Sequence, residues 1–318
     1  MGKGITNASS EMVSEPKRRF WLADITIRLI KEKPLGAVGA IVTLLLFFTA
    51  IFTDLIAPYG MNETRVTDFL ASPSAAHLLG GDQLGRDLFS RIVYGARTSV
   101  IVGLVATSLS VVISLTVGGL CGYLGGKFDL IVQRFVDAWM CFPSLVILIL
   151  VMSLIGPGLW NVIIVLAFVF GVGGSRIIRG AVMSVRENVY VQAAVAIGSS
   201  TPRVFIRHIV PNVMAPTIVL FTTRVPAVIL MEAAVSFLGF GIPPPVPSWG
   251  GMLSGEGSTY MFLSPGIAVW PGLALASVVF GVNMFGDALR DLLDPRLRGG
   301  VGRYGVKVKE TTTKSKEN

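Results

Sequence analysis

Long apolar runs separated by short polar intervals dominate this chain. A helical span needs about 20 mostly apolar residues, and six stretches meet that requirement: 36–57, 98–123, 130–155, 159–182, 213–240 and 267–289. The first opens after Pro34-Leu35-Gly36 and lies too far into the chain, and is too long, to read as a cleaved signal peptide. Ahead of it, Arg18 to Ile30 mixes basic and bulky apolar residues, including Phe20 and Trp21. That pattern predicts a short helix lying in the membrane interface. The pattern as a whole predicts an all-α, polytopic membrane protein with six transmembrane helices.

One interval breaks the pattern. Between the fourth and fifth spans, residues 190–212 are polar and basic, yet they carry helix punctuation. Tyr190 to Ile197 are good helix formers, and Gly198 stops them in the manner of a C-terminal glycine. Ser199-Ser200-Thr201 offers an N-cap, with Pro202 at the first helical position, where its missing N–H is harmless. A second helix, Arg203 to Val210, is predicted to end before Pro211. The first helix presents the small residues Ala193, Ala194 and Ala196, which suit a close fit into a groove. Two helices meeting at a fixed elbow outside the bilayer form a handle for a partner.

Lysine and arginine set the orientation. Seven precede the first span and eight follow the last, from Arg290 to Lys316. Arg186, Arg203 and Arg207 mark the 183–212 interval, whereas 156–159 and 241–266 have none. The consistent solution places both termini and the elbow in the cytoplasm. Further along, Gly118, Gly122 and Gly126 recur every four residues, a spacing that lets helix backbones approach closely, with a turn expected at Gly125-Gly126. Gly171, Gly173 and Gly174 are expected to break or thin the fourth span.

Composition sharpens the class. The 318 residues are 52% hydrophobic and 14% charged, against about 25% charged in an ordinary soluble domain, so the chain lacks the polar surface to cover itself in water. Net charge is +8, but the basic residues sit between apolar spans and not on one face of a soluble fold, which argues against a nucleic-acid partner. Cys121 and Cys141 fall in or beside apolar runs without metal-type spacing, and buried thiols act as small apolar fillers.

No G-x-x-x-x-G-K-[ST] phosphate loop is present and no metal or cofactor site is read, so any ATP chemistry would have to reside in another polypeptide. Charges inside spans point to function by default. Arg224 and Glu232 lie eight residues apart in the fifth span, on nearly the same side and about 12 Å apart. They are candidates for a translocation path, with a stabilising role in assembly as the equal alternative for Arg224. Asp137, just before Phe142-Pro143, reads as structural, at an expected kink. Outside, Arg86 and Asp87 and the proline-rich 243–249 segment with Trp249 are candidates to contact a partner or simply to close the external face.

The elbow resembles the cytoplasmic coupling motif of ABC-transporter permeases, Glu-Ala-Ala, three residues, Gly, then a later Pro. Here it reads Gln192-Ala193-Ala194-Val195-Ala196-Ile197-Gly198, with Pro211 following. His77 to Asp87, Tyr94 to Ser99, Ser236 to Gly241, Pro243 to Gly250, Gly286 to Asp291 and Asp294 to Arg298 narrow the likeness to the oligopeptide/dipeptide importer permeases, OppC/DppC-like. Together the matches run from about residue 34 to 298. Gln192 departs from the motif's Glu and removes a negative charge.

The resemblance implies an ABC importer permease (type I) fold with coupling helices between spans 4 and 5. It divides the chain into a cytoplasmic segment 1–35, transmembrane helix 36–57, extracytoplasmic loop 58–97, permease core 98–292 and cytoplasmic tail 293–318. It implies that Gln192, Ala193, Ala194, Gly198, Pro202, Arg203, Phe205 and Pro211 couple to the ATPase. It further implies an inner-membrane location, a second homologous permease, two ABC ATPase subunits and an extracytoplasmic binding protein. The expected cargo is di- or oligopeptides. An ion-coupled secondary transporter, or an ABC permease for nickel, glutathione or an opine, stands as the alternative.

Overall fold

The computed structural model describes residue 27 and residues 29–293. The expected interfacial helix at 18–30 falls largely outside this range, as do most of the 293–318 tail and the Asp294 to Arg298 motif. Among the described residues the chain is helical, with only an isolated Gly81–Asp87 bridge. The principal helices are α1 (Pro34–Ile51), α2 (Leu88–Leu124), α3 (Gly126–Met140), α4 (Ser144–Ile155), α5 (Leu159–Arg186), α6 (Val189–Ala196), α7 (Thr201–Phe237) and α8 (Gly266–Leu293). Five are long and apolar enough to cross a membrane alone, and the bent pair α3–α4 brings the number to six when taken as one span.

Hydropathy located the spans and misjudged their ends. Helix α2 starts at Leu88, ten residues before the expected 98, because Asp87 caps it by accepting from the Ser90 N–H at 2.8 Å. Its first turns carry Arg91 and Arg97, which lower the apolar signal. Both have carboxylates nearby: Asp82 lies 3.6 Å from Arg91 Nε, and Asp54 lies 2.7 Å from Arg97 Nη2. Asp54 is exposed, and the Arg97 guanidinium beside it holds its carboxyl below the usual carboxylate range. At 37 residues α2 is about 55 Å long, more than the hydrocarbon core requires.

The third span carries the kink expected at Phe142-Pro143. α3 and α4 meet at 88° across Cys141 to Pro143, where proline removes a donor and disfavours helix in the residue before it. The twelve residues of α4 extend about 18 Å, short of the roughly 30 Å core. α3 is tied instead to α5. Arg179 donates to both oxygens of Asp129 at 2.6 and 2.5 Å, and Arg176 pairs with Asp137.

The expected break in α5 does not occur. Gly171 and Gly174 lie inside a continuous helix and thin it for contact: a Cβ on Gly171 would stand 2.8 Å from Ile113 Cβ, and one on Gly174 would overlap the Ser114 hydroxyl. Reciprocally, Gly118 of α2 faces the Ser175 carbonyl and Gly122 faces that of Arg179. Ser114 Oγ donates to the Gly171 carbonyl at 2.8 Å across the same seam. Gly126 does not continue the series. Gly125 and Gly126 both have positive φ and form the turn between α2 and α3. The α2–α5 seam is the most extensive helix pairing, and α5 is the most enclosed span, with 61% of its apolar window buried against 28% for α1 and α8. α1 packs on α8 through Gly36, Gly39 and Gly281, and α7 bridges α2 and α8.

Candidate functional site

The elbow between α5 and α7 is built on a Schellman turn. The Gly198 N–H donates to the Val195 carbonyl at 2.9 Å and the Ser199 N–H to that of Ala194 at 3.1 Å, with Gly198 at φ 80°. These two bonds close α6 and occupy carbonyls a helix end leaves unpaired. Ser200 is the next N-cap, but its side chain makes no capping bond, and Pro202 stands second and not first in the helix.

Pro211 does not end the second limb, contrary to the sequence expectation. The limb runs through as α7: Thr201–Val204 is α-helical, Phe205–Ile209 forms a π turn, Val210–Val213 a 3₁₀ turn, and α-helix resumes at Met214. The Val210 N–H reaches back five residues to the Phe205 carbonyl. The π and 3₁₀ turns shift the hydrogen-bond ladder around a residue that cannot donate. The elbow is therefore mechanically continuous with a membrane span.

Each limb has two faces. Inward, Val191, Ala194, Val204, Ile209 and Val213 are buried with Ile178, Val182 and Leu220 at the ends of α5 and α7. The Phe205 ring lies 5.8 Å from that of Tyr123 and covers Gly119, so this residue locks the elbow to α2 and is not free on its surface. Tyr190 and His208 approach across the two limbs, with ring centroids 6.5 Å apart. Outward, Val189, Tyr190, Val195, Ile197 and Ile206 are exposed; Ile197 is 83% exposed. Ala193, Ala196, Pro202, Arg203 and Pro211 share that exposure, whereas Ala194 faces the core. Gln192 is exposed, and its Nε2 donates to the Glu187 carbonyl at 3.2 Å. A glutamate has no such donor, so the amide makes a local bond that the motif's acid cannot.

Arg86, Asp87 and Trp249 require correction as external contacts: all three are buried, at 4%, 2% and 2% exposure. Asp82 is enclosed, accepts from the Leu84 and Arg86 N–H groups and pairs with Arg86 Nε at 2.5 Å. Besides capping α2, Asp87 lies 3.0 Å from His77 Nδ1, and the His77 ring stacks on Tyr59. Trp249 Nε1 donates to the Ile92 carbonyl at 3.1 Å while its ring fills the space left by Gly95. These side chains hold the loops at this end onto α2. Pro243, Pro244, Pro245 and Val246 of the proline-rich segment, by contrast, are exposed.

Arg224 and Glu232 are not brought together. Glu232 is 1% exposed and accepts from Ser236 Oγ at 2.7 Å, with Ser248 also bonded to it. Ser236 in turn accepts from the Ile242 N–H at 3.2 Å, and Ser248 from the Gly251 N–H at 3.2 Å. Glu232 thus staples segment 242–251 to the end of α7. Replacing it with alanine leaves two buried hydroxyls without their acceptor, a loss of about 1–3 kcal/mol per unsatisfied group. E232A is expected to lower the thermal unfolding temperature in detergent clearly more than E232Q, which keeps a carbonyl acceptor. Equal effects would contradict the staple. Arg224 instead lies over the Phe170 ring of α5, 5.2 Å from its centroid.

A bundle of membrane-length helices with a rigid, outward-apolar elbow continuous with one span is the architecture of a transport subunit. Residues 114–299 match the family of binding-protein-dependent transport system inner membrane components, and the chain belongs to it. It is 38% identical to the dipeptide transport system permease protein DppC of Alkalihalophilus pseudofirmus over 85% of this chain and 88% of that one. It is 36% identical to the oligopeptide transport system permease protein OppC of Bacillus subtilis over 91% and 94%. Identity to the glutathione transport system permease protein GsiD of Escherichia coli is 35%, over 91% and 93%. The chain is thus an OppC/DppC-like ABC permease of the type I importer class and a multi-pass inner-membrane protein. That membership decides against the ion-coupled secondary transporter.

Proposed function

We propose that this chain forms half of the translocation path of an ATP-driven importer of di- and oligopeptides. The observation that carries this reading is the elbow. Its inner face is locked into the bundle by Val191, Val204, Ile209 and Phe205, and its outer face presents Val189, Val195, Ile197 and Ile206. An exposed apolar patch on a rigid, short-helix scaffold suits insertion into a partner's groove. The partner is a separate ATP-hydrolysing subunit, two copies serving the complex, with Gln192, Ala193, Gly198, Pro202, Arg203 and Pro211 at or beside the contact.

Docking at this face puts the elbow and both termini of the chain in the cytoplasm. A second, homologous permease completes the path, and an extracytoplasmic binding protein delivers cargo to the opposite end. Closure of the ATPase pair moves the elbow, and α7, continuous with it, shifts the bundle between inward- and outward-open populations. The names of the similar permeases favour peptides, and GsiD favours glutathione, itself a tripeptide, as a second reading.

The test is reconstitution of the complex in proteoliposomes with its binding protein. Uptake of labelled peptide is expected to require both ATP and the ATPase subunits. Uptake that persists in their absence would overturn the proposal.

A further inference from the structure

Arg224 is the eleventh residue of the Met214–Phe237 segment of α7, about 15 Å from its beginning and 20 Å from its end. That places it near the middle of a hydrocarbon core roughly 30 Å thick. A cation at this depth is costly unless it meets water or a counter-charge. Among the described residues Arg224 makes neither a hydrogen bond nor an ion pair; its described contact is the Phe170 face. The other charge on the Met214–Phe237 segment, Glu232, is committed to Ser236 and Ser248. Arg176 and Arg179, by contrast, have Asp137 and Asp129.

An arginine held over an aromatic ring has its positive charge stabilised by the π face. Its N–H donors lie in the guanidinium plane, in a fork that matches a carboxylate bidentately. The arrangement supplies a positioned donor set without an acceptor, half-buried on a helix that continues into the elbow. Dipeptides, oligopeptides and glutathione, the solutes named for the similar permeases, all carry a free carboxylate, the group that an arginine fork recognises.

We infer that Arg224 is a binding station on the translocation path for the carboxylate of the transported solute. The inference rests on the peptide-importer reading above. Because α7 runs from the elbow to Arg224, elbow movement changes the exposure of the station, so capture and release follow the ATPase cycle. The pair formed is transient by design, since a path must release what it binds.

The experiment compares uptake of tri-alanine and tri-alanine amide by the complete reconstituted complex, with wild-type chain, R224Q and R224K. The binding protein is the same throughout, so its own preference cancels in the ratio of the two peptides between variants. R224Q is expected to reduce the acid-to-amide ratio roughly tenfold to a hundredfold, the scale of a hydrogen-bonded charge pair. R224K is expected to retain an intermediate ratio, having the charge without the fork. An unchanged ratio in R224Q, with both peptides slowed alike, would overturn the station and leave the peptide reading standing. Loss of the second permease from the purified R224Q complex would overturn it too, assigning Arg224 to subunit pairing. A wild-type complex that moves neither peptide would overturn the peptide reading itself, and this inference with it.

Discussion

Replacing Gly198 with valine is expected to abolish ATP-driven uptake while the protein still inserts in the membrane. Gly198 holds φ at 80°, where an L-residue pays about 1–2 kcal/mol and a β-branched one is a clear outlier. Apart from its own and the two adjoining residues, no heavy atom lies within 4 Å of where its Cβ would be. The cost is therefore purely conformational and falls on the turn alone. Releasing it moves the backbone toward negative φ and breaks the bonds from Gly198 and Ser199 to Val195 and Ala194. The angle between α6 and α7 then changes, and with it the placement of the exposed Ile197 relative to Ile206. G198N is the matched control, since asparagine tolerates the left-handed region. Co-purification of the ATPase subunits and peptide uptake are the measurements. Both are expected to fail in G198V and recover substantially in G198N. Normal co-purification and uptake in G198V would show that the elbow is not the coupling element.

The second large effect is on the fold itself. In G118V, the new Cβ overlaps the Ser175 carbonyl oxygen and stands 3.0 Å from the Arg179 amide nitrogen. Both are backbone atoms of a spanning helix, so no side chain can rotate out of the way. Overpacking costs typically about 1–3 kcal/mol and occasionally more. Here relief requires separating α2 from the most enclosed span, which puts G118V at or above the top of that range. The expected result is low yield of monodisperse protein on size-exclusion chromatography in detergent, with a depressed unfolding temperature. G173V provides the comparison: its Cβ would meet nothing within 4 Å, and it lies in α5 beside two glycines that are tightly packed. It is expected to behave like wild type. Indistinguishable profiles for G118V and G173V would refute close packing at this seam.

The two glycine predictions show what was legible in the sequence and what was not. Gly198 stood out because a glycine after a helix-forming run, followed by Ser-Ser-Thr-Pro, is local punctuation. Backbone chemistry within ten residues decides such a turn. Gly118 and Gly122 carried the right spacing, but the same spacing at Gly126 ended in a turn, and Gly171 and Gly174 were read as weakening their helix. A glycine gives the same signal whether it breaks a helix or admits a neighbour. Only the arrival of Ser175 and Ser114 opposite them distinguishes the two.

A similar ambiguity governed the charged and aromatic residues near the external loops. Arg86 and Asp87 were conspicuous as charges beside Gly85 in an external loop, and Trp249 as the aromatic residue of the proline-rich 243–249 segment. Their burial depends on partners such as Asp82, His77, Ser90 and Ile92. Residue type shows that such groups need partners. It does not say whether those partners lie within the chain or on another protein.

By itself, the sequence determined the membrane class, the approximate spans, the polar interval bearing the elbow and the glycine turn within it. Each of these follows from properties local to a window of some twenty residues: apolar run length, helix punctuation and the clustering of charge. The tertiary structure alone decided which helices pair and that the kink expected at Phe142-Pro143 bends the third span by as much as 88°. It also decided that Pro211 is bridged and not a terminus, and that Glu232 is satisfied within the chain while Arg224 is not. The reason is that an apolar helix face suits lipid and protein equally well, whereas close packing and hydrogen-bond satisfaction depend on what stands opposite, often more than a hundred residues away in the chain.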